Sequence, residues 1–226
     1  MATVAKGAES QAERIDSAVI RLYAVLPQTR ALGPFLRFAL WVQGCRRNCP
    51  GCMTPNARPL EGGCLVEIDR LAADILRTPD IEGVTISGGE PFLQSTALSR
   101  LIRRIRARRD LGVILYTGYT VEELREEGAA GLPGIGGLLG QIDLLIDGPY
   151  LEPLNDGLSL RGSANQRIHC LTDRYTEPAN RLYGRPGRDV ELHYLSDGPF
   201  LAGIPGPDTL KKWRNKGLLK RPNPKS

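Results

Sequence analysis

Three cysteines within eight positions constrain this chain more than any other feature of its sequence. Cys45, Cys49 and Cys52 are spaced C-x3-C-x2-C, and they are three of the five cysteines in 226 residues. Such short gaps let one loop direct its thiolates at a single inorganic centre, and soft sulfur ligands select iron-sulfur clusters, zinc or copper(I). Structural zinc sites and electron-transfer clusters use four protein ligands, so a set of three predicts a cluster with one open iron. We therefore interpret the loop as a catalytic iron-sulfur site.

Three other interpretations of the cysteine loop are open on the same residues. A zinc knuckle needs a fourth ligand, for which Cys64 or His169 is available. A disulfide framework is disfavoured because the number of cysteines is odd and nothing like a signal peptide precedes them. Chance clustering of buried thiols does not explain Gly44, Pro50 and Gly51, which suit the tight turns of a ligand loop.

Length and composition predict one domain with additions at both ends. A chain of 226 residues with 41% hydrophobic content can bury a sizeable core. No run of about 18 apolar residues occurs, so we expect no membrane span. Residues 1–19 are expected to be a disordered extension, and their mixed charge fits neither a secretory nor a lipidation signal. These features predict a cytoplasmic protein, in which thiols stay reduced.

The net charge of +5 comes from the end of the chain. Residues 209–226 contain seven basic residues and no acidic one, which leaves 23 basic against 25 acidic residues elsewhere. Trp213 is the only aromatic residue in this segment, whereas single-stranded nucleic acids are bound by interleaved aromatic side chains. We favour a solvated basic tail over a segment that docks RNA or an acidic partner.

Four apolar runs of strand length alternate with helical periodicity between residues 38 and 150. The predicted strands cover residues 38–42, 83–86, 113–116 and 142–146. This alternation predicts right-handed βαβ units, and therefore an α/β fold with a parallel sheet and flanking helices. Ligands bind beyond the carboxyl ends of such strands. We therefore expect the turns that follow the four strands to converge on one rim, with the cysteine loop among them.

The turn after the second of these strands reads Gly88, Gly89, Glu90, Pro91. Glycines remove side chains, so a bound molecule could lie against the backbone. Glu90, fixed by Pro91, offers a carboxylate that can accept hydrogen bonds from an ammonium group. A backbone edge beside one carboxylate suits the headgroup of an amino acid.

Taken together, these motifs resemble the radical S-adenosylmethionine superfamily. Residues 41–45, 116–120, 147–150 and 161–167 are similar to one branch of it, the activating proteins of anaerobic ribonucleoside-triphosphate reductase. The resemblance covers about residues 20–170, which we take as the core. It implies a partial (β/α) barrel for the sheet. Residues 171–226 would be a C-terminal extension with a late β-hairpin, over residues 190–194 and 200–204, and the basic tail.

The resemblance also implies a set of site residues. Cys45, Cys49 and Cys52 would hold a 4Fe-4S cluster, whose open iron would take the amine and carboxylate of S-adenosyl-L-methionine. The residues implied to bind this cofactor are Gly51, Met53, Gly88, Gly89, Glu90, Tyr116, Thr117, Gly118 and Asp147. Cys64, Cys170, His169 and His193 receive no role.

The implied reaction is reductive cleavage of S-adenosylmethionine to methionine and a 5'-deoxyadenosyl radical. The radical would abstract a hydrogen atom from a backbone glycine of a glycyl radical enzyme, and a flavodoxin or ferredoxin-type protein would donate the electron. One alternative is a radical maturase that modifies a peptide, an RNA or a small molecule. Another is a non-catalytic metal-binding or redox-sensing module.

Overall fold

A computed structural model describes residues 18–126, 131–195 and 198–216. The strands are β1 (Val19–Thr29), β2 (Arg37–Val42), β3 (Cys64–Glu67), β4 (Gly83–Gly88), β5 (Gly112–Tyr116), β6 (Leu144–Asp147), β7 (Arg167–Cys170), β8 (Glu191–Leu195) and β9 (Gly198–Ala202). The helices are α1 (Ile68–Arg77), α2 (Ser95–Arg106), α3 (Val121–Arg125), α4 (Ile135–Leu139), α5 (Thr176–Leu182) and α6 (Pro207–Asn215). Short 3-10 turns lie at Pro55–Ala57, Pro91–Gln94, Glu152–Leu154 and Asp173–Tyr175.

The first seven strands form one mixed sheet in the order β3-β1-β2-β4-β5-β6-β7. Strands β2, β4, β5 and β6 are parallel, which confirms the predicted βαβ core. The sheet as a whole is not parallel, because β1 and β3 are antiparallel at one edge and β7 is antiparallel at the other. A short loop joins β1 to β2, and such a connection permits only an antiparallel pair.

The two faces of the sheet are covered by different parts of the chain. Phe38, Leu40 and Val42 of β2 are buried in a core formed with α1 and α2, as the helical periodicity predicts. Ala39 and Trp41 point to the opposite face, since successive side chains of a strand alternate between faces. We call this opposite face the inner face.

The C-terminal part of the chain packs on the inner face. Tyr175 and Ala179 form a buried cluster with Ile114, Leu144 and Ile146 of β5 and β6. At the β2 end, Ala202 of β9 is buried with Trp41, and β8 and β9 pair as the predicted hairpin. The inner face is therefore a second interior of the molecule, beside the core that α1 and α2 cover.

The predicted extensions are described in part. Residues 1–17 and 217–226 lie outside the described residues, and β1 begins at Val19. The basic segment starts as helix α6, whose Leu210 is buried. Among the helices in the described ranges, none combines the length and the apolar character that a membrane crossing requires.

Candidate active site

One pocket lies at the carboxyl ends of the parallel strands β2, β4, β5 and β6. Its lining residues are Leu32, Trp41, Cys45, Arg47, Cys49, Cys52, Met53, Thr54, Arg58, Ser87, Gly88, Gly89, Glu90, Tyr116, Thr117, Gly118, Gly148, Tyr150, Gln166, Leu201, Gly203 and Ile204. All three cysteines of the C-x3-C-x2-C loop are among them, together with the Gly-Gly-Glu turn. The expected convergence of strand ends on one rim is therefore present.

Backbone hydrogen bonds close the cysteine loop at its base. Gly44 N donates to Ala57 O at 2.8 Å, and Cys45 N donates to Arg58 O at 2.9 Å. Within the loop, Arg47 N donates to Cys45 Sγ at 3.3 Å. An amide–sulfur hydrogen bond of this kind stabilises the thiolate form of Cys45.

Burial raises the pKa values of two of the three thiols. Burial, together with the nearby charges of Glu90, Cys52 and Cys49, raises the pKa of Cys45 to about 11, against the lowering effect of the Arg47 backbone hydrogen bond. The pKa of Cys49 is also raised, by burial and by the neighbouring Cys52. Both thiols would ionise more readily beside a positively charged centre.

The two residues considered as a fourth zinc ligand lie away from the pocket. Cys64 is exposed on β3 at one edge of the sheet, and His169 is on β7 at the other edge. Neither lines the pocket. Within the described ranges, no three His, Cys, Asp or Glu side chains are grouped so as to hold a single metal ion.

Gly88 and Gly89 pack against the backbone of the neighbouring strand β2 and of the start of the cysteine loop. A Cβ at Gly88, whose φ is +111°, would overlap the backbone of Val42. A Cβ at Gly89 would overlap Gly44 O. The sequence suggested that these glycines leave space for a bound molecule. The structure gives a further reason for them, because the turn can sit against the cysteine loop only without side chains.

Glu90 is fixed by three donors at the centre of the site. Its carboxylate accepts hydrogen bonds from Phe92 N at 3.0 Å, from Thr117 Oγ1 at 2.8 Å and from Gly118 N at 2.8 Å. The residue is only 1% exposed. Burial raises the pKa of this carboxyl, and the three hydrogen bonds oppose that rise. The site therefore holds a preoriented acidic group that a cationic ligand would stabilise in its charged form.

The other residues assigned by resemblance divide into two groups. Met53, Tyr116, Thr117 and Gly118 line the pocket. Gly51 and Asp147 do not, although each lies next to a residue that does.

The Asp147 carboxylate points to the start of α3. It is fully buried, and Oδ2 accepts hydrogen bonds from Val121 N at 2.7 Å and from Arg167 Nη2 at 2.5 Å. The pKa of Asp147 is lowered because these hydrogen bonds outweigh the effect of burial. Gly51, with φ of +79°, packs so closely on Glu152 that any side chain at position 51 would overlap it.

Several lining residues were missed by the sequence analysis. Leu201, Gly203 and Ile204 belong to β9 and the residues after it, and Leu32 precedes β2. The hairpin itself was predicted, but nothing local to its sequence indicates that it would dock beside the cysteine loop. Arg47 was also missed. Its position between Cys45 and Cys49 was the available signal.

The amino-acid sequence of the chain is similar to that of known iron-sulfur proteins and activating proteins. The family model described as "4Fe-4S single cluster domain" matches residues 31–169. An anaerobic ribonucleoside-triphosphate reductase-activating protein of Vibrio cholerae is 36% identical over 148 residues, which cover 62% of this chain and 91% of the relative. The protein of the same name from Escherichia coli K12 is 32% identical over 149 residues, with coverages of 62% and 91%. That of Enterobacteria phage T4 is 31% identical over 147 residues, with coverages of 62% and 88%.

These alignments span nearly the whole of the relatives but leave more than a third of this chain unmatched. The hairpin β8–β9 and helix α6 lie beyond the family match. The cysteines, the Gly-Gly-Glu turn and the parallel strands that bring them together all lie within it. The chain belongs to the 4Fe-4S single cluster domain family, in the branch of the anaerobic ribonucleoside-triphosphate reductase-activating proteins.

Proposed function

We propose that this protein is a radical S-adenosylmethionine activase that installs a glycyl radical on a partner enzyme. The observation that carries the proposal is the meeting of two motifs in one pocket. Cys45, Cys49 and Cys52 line it together with Gly88, Gly89 and Glu90, at the ends of adjacent parallel strands. Ligand sites of open α/β sheets lie at this edge.

The three thiols fit a 4Fe-4S cluster by their chemistry and placement. Sulfur ligands select such clusters, and bound iron would keep Cys45 and Cys49 in the thiolate form although burial raises their pKa values. Three protein ligands would leave one iron for a further ligand. When bound and reduced, the cluster would supply one electron to cleave S-adenosylmethionine to methionine and a 5'-deoxyadenosyl radical.

The protein residues would bind and orient S-adenosylmethionine. Glu90 would accept hydrogen bonds from its amino group, and the Thr117 and Gly118 donors hold the carboxylate in place for that role. Met53 and Tyr116 line the same pocket and could contact the nucleoside. We also propose that Gly51 and Asp147 support cofactor binding, because each precedes a residue that lines the pocket, Cys52 and Gly148 respectively. Their contribution would be to fix the backbone.

The partial (β/α) barrel belongs to the same proposal. Its support is an inner face that is covered by later parts of the chain while one end opens into the pocket. Such an enclosure would exclude water from the reaction, which reactive intermediates require.

The partner is proposed from the relatives. Their names state that they activate anaerobic ribonucleoside-triphosphate reductase. A partial match over 92 residues, at 32% identity, is named a putative glycyl-radical enzyme activating enzyme. We propose a glycyl radical enzyme of this kind as the partner here.

The test is anaerobic reconstitution with iron and sulfide, reduction with dithionite, addition of S-adenosylmethionine and quantification of 5'-deoxyadenosine. Cys45→Ser should abolish the product. Cys64→Ser is the matched control, because Cys64 is exposed and does not line the pocket. Equal product from wild type and Cys45→Ser, or none from a fully loaded wild type, would refute the proposal. Glycyl radical formation on the candidate reductase, followed by electron paramagnetic resonance, then tests the partner.

A further inference from the structure

A second cavity lies on the inner face, next to the pocket that holds the three cysteines. Its walls include Arg30, Arg161 and Arg188, and we call it the arginine cavity. Three side chains line both the arginine cavity and the pocket, namely Leu32, Tyr116 and Ile204. The two spaces therefore adjoin, and a molecule bound in one contacts side chains that also line the other.

Arg188 is nearly buried, yet most of its hydrogen bonds go to uncharged acceptors. Its side chain is only 7% exposed. The guanidinium donates to the carbonyl oxygens of Leu158 at 2.7 Å, Gly162 at 3.1 Å and Ile204 at 3.3 Å. Its one ion pair in the described ranges, with Asp156, is 3.4 Å long. Buried charges normally have a close partner of opposite charge, so Arg188 is short of negative charge.

Arg161 takes the closer position on the same carboxylate. Its Nη2 donates to Asp156 Oδ2 at 2.6 Å and its Nη1 to Tyr183 Oη at 3.3 Å. The Nε of Arg161 is buried and has no hydrogen-bond partner among the described residues. Burial lowers the pKa of Arg188, which Asp156 opposes and the nearby charge of Arg161 reinforces. Two guanidinium groups thus depend on one carboxylate.

The other acidic side chains nearby do not neutralise these two arginines. Asp189 also lines the cavity, but it is exposed and is paired with neither arginine in the described structure. Glu191 accepts hydrogen bonds from Thr29 Oγ1 at 2.7 Å and from Arg30 N at 2.8 Å, and it pairs with His193. The buried part of the cavity therefore carries more positive charge than its own carboxylates balance.

The arginine cavity is built partly from the C-terminal extension. Arg161 lies within the family match, which covers residues 31–169, whereas Arg188 and Ile204 lie beyond it. Arg188 is also close to the wall shared with the pocket. Burial raises the pKa of Tyr116 to about 12, and the charges of Arg37 and Arg188 oppose that rise. The extension therefore supplies a cation beside the shared wall.

The ligand that this charge selects is an oxyanion, because guanidinium groups bind carboxylates and phosphates through charged hydrogen bonds. At neutral pH an unmodified protein segment presents oxyanions only as carboxylates. We propose that the arginine cavity binds a carboxylate of the partner segment that carries the target glycine, and so holds this segment beside the pocket. Arg30 and Asp189 are exposed, which gives the cavity an entrance from solvent. This inference rests on the proposed function and adds to it an anchor for the substrate.

The first test measures binding of two small probes to the full-length protein, reconstituted with iron and sulfide and not reduced. N-acetylglycyl-aspartate amide carries one carboxylate, and N-acetylglycyl-asparagine amide has nearly the same shape without the charge. Isothermal titration calorimetry gives both dissociation constants for wild type, Arg161→Gln and Arg188→Gln. Arg181→Gln is the matched control, since Arg181 is 61% exposed, pairs with Glu177 and does not line the cavity.

We expect wild type to bind the aspartate probe about tenfold more tightly than the asparagine probe, because charged hydrogen bonds are the stronger ones. Arg161→Gln and Arg188→Gln should remove this preference, and Arg181→Gln should keep it. Arg161→Gln leaves the carbonyl bonds of Arg188 in place, so its result decides the matter if circular dichroism shows that Arg188→Gln is unfolded. Equal affinity of wild type for the two probes, or an unchanged preference in Arg161→Gln, would overturn the inference.

The second test measures how efficiently the radical reaches the partner. Glycyl radical on the candidate reductase, quantified by electron paramagnetic resonance, is divided by the 5'-deoxyadenosine formed in the same sample. This ratio should fall about tenfold in Arg161→Gln, in line with the lost affinity, and should stay at the wild-type value in Arg181→Gln. A wild-type ratio in Arg161→Gln would show that the cavity does not hold the partner segment. A loaded, reduced wild type that forms no 5'-deoxyadenosine would instead refute the proposed function, and the probe measurements do not depend on that reaction.

Discussion

The guanidinium carbon of Arg47 lies 4.4 Å from the centre of the Tyr119 ring. Arg47 Nη2 also donates to both carboxylate oxygens of Glu123, at 3.0 and 2.8 Å. Glu123 closes the capping box of α3 with Thr120. One side chain from the cysteine loop is thereby tied to the segment that carries Gly118, on the other side of the pocket.

Replacing Arg47 with Gln should loosen this tie at a modest energetic cost. The side chains of Arg47 and Glu123 are 24% and 46% exposed, so solvent screens their ion pair. With the stacking on Tyr119 included, we expect a loss of about 1 kcal/mol in unfolding free energy. Urea denaturation of the metal-free protein measures it. Arg46→Gln is the control because Arg46 is exposed, and a loss of equal size there would argue against the tie.

The β8–β9 hairpin is attached to the inner face by an aromatic contact. The rings of Phe200 and Trp41 meet edge to face, with centroids 4.7 Å apart and an interplanar angle of 77°. The next residue, Leu201, lines the pocket. The contact therefore determines where this part of the pocket wall lies.

Phe200→Ala should release the hairpin and expose Trp41. Because Phe200 is only partly buried, we expect a loss of about 2 kcal/mol, below the cost of a fully buried Phe. Trp41 fluorescence should shift to longer wavelength, measured in a Trp213→Phe background, since the chain has two tryptophans. Tyr194→Ala is the control, because Tyr194 is 81% exposed on the same hairpin. Unchanged Trp41 emission in Phe200→Ala would contradict the proposed attachment.

The parts of the fold that follow local periodicity could be predicted, and the parts that depend on distant pairing could not. Strands β2, β4, β5 and β6 follow continuous apolar runs, and helices α1 and α2 follow 3.6-residue patterns. Strand β3 (Cys64–Glu67) carries no such pattern, because it lies at the sheet edge and most of its residues are exposed. Its pairing with β1 depends on a contact between distant segments.

The same distinction applies to the site. Strand order brings the ends of β2, β4 and β5 to one rim, so the cysteines, the Gly-Gly-Glu turn and Thr117 could be placed together from sequence. Where a side chain points beyond the strand end depends on tertiary partners. Asp147 is oriented by Val121 N and Arg167, and the hairpin wall by Trp41. None of these three partners is adjacent in sequence to the residue that it orients.

Cys45 should react slowly in the metal-free protein. Its pKa of about 11, raised by burial and by nearby negative groups, leaves roughly one thiolate in a thousand at pH 8. Iodoacetamide should therefore modify the exposed Cys64 and Cys170 first, as judged by peptide mass spectrometry. Below pH 11 the thiolate fraction of Cys45 increases with pH, so its alkylation rate should rise about tenfold per unit between pH 7 and 10. Alkylation of Cys45 as fast as that of Cys64 at pH 8 would show that this thiol is not shielded.

The inner face is closed at its far end by Arg37, which is completely buried. Its guanidinium donates to Thr85 Oγ1 at 2.6 Å, to Glu82 Oε2 at 2.8 Å and to Tyr175 Oη at 2.8 Å. Further bonds reach the carbonyl oxygens of Val84 and Gly112. One side chain thus joins β2, β4 and β5 to the C-terminal segment.

Arg37→Ala should be among the most destabilising single changes in the chain. It leaves a cavity and removes the donor from several buried acceptors, so we expect a loss of about 3 kcal/mol or more in unfolding free energy. Glu82 keeps Arg174, 2.8 Å away, which limits the cost of an unpaired carboxylate. Arg37→Lys should recover only part of the loss, because one ammonium group cannot reproduce the planar fork of hydrogen-bond donors in the guanidinium.

Arg77→Ala is the control, since Arg77 is 76% exposed and pairs only with Asp74 in the described structure. The change in its unfolding free energy should stay within about 0.5 kcal/mol. Urea titrations followed by circular dichroism measure all three, and an Arg37→Ala protein as stable as Arg77→Ala would mean that the network does not hold the two interiors together.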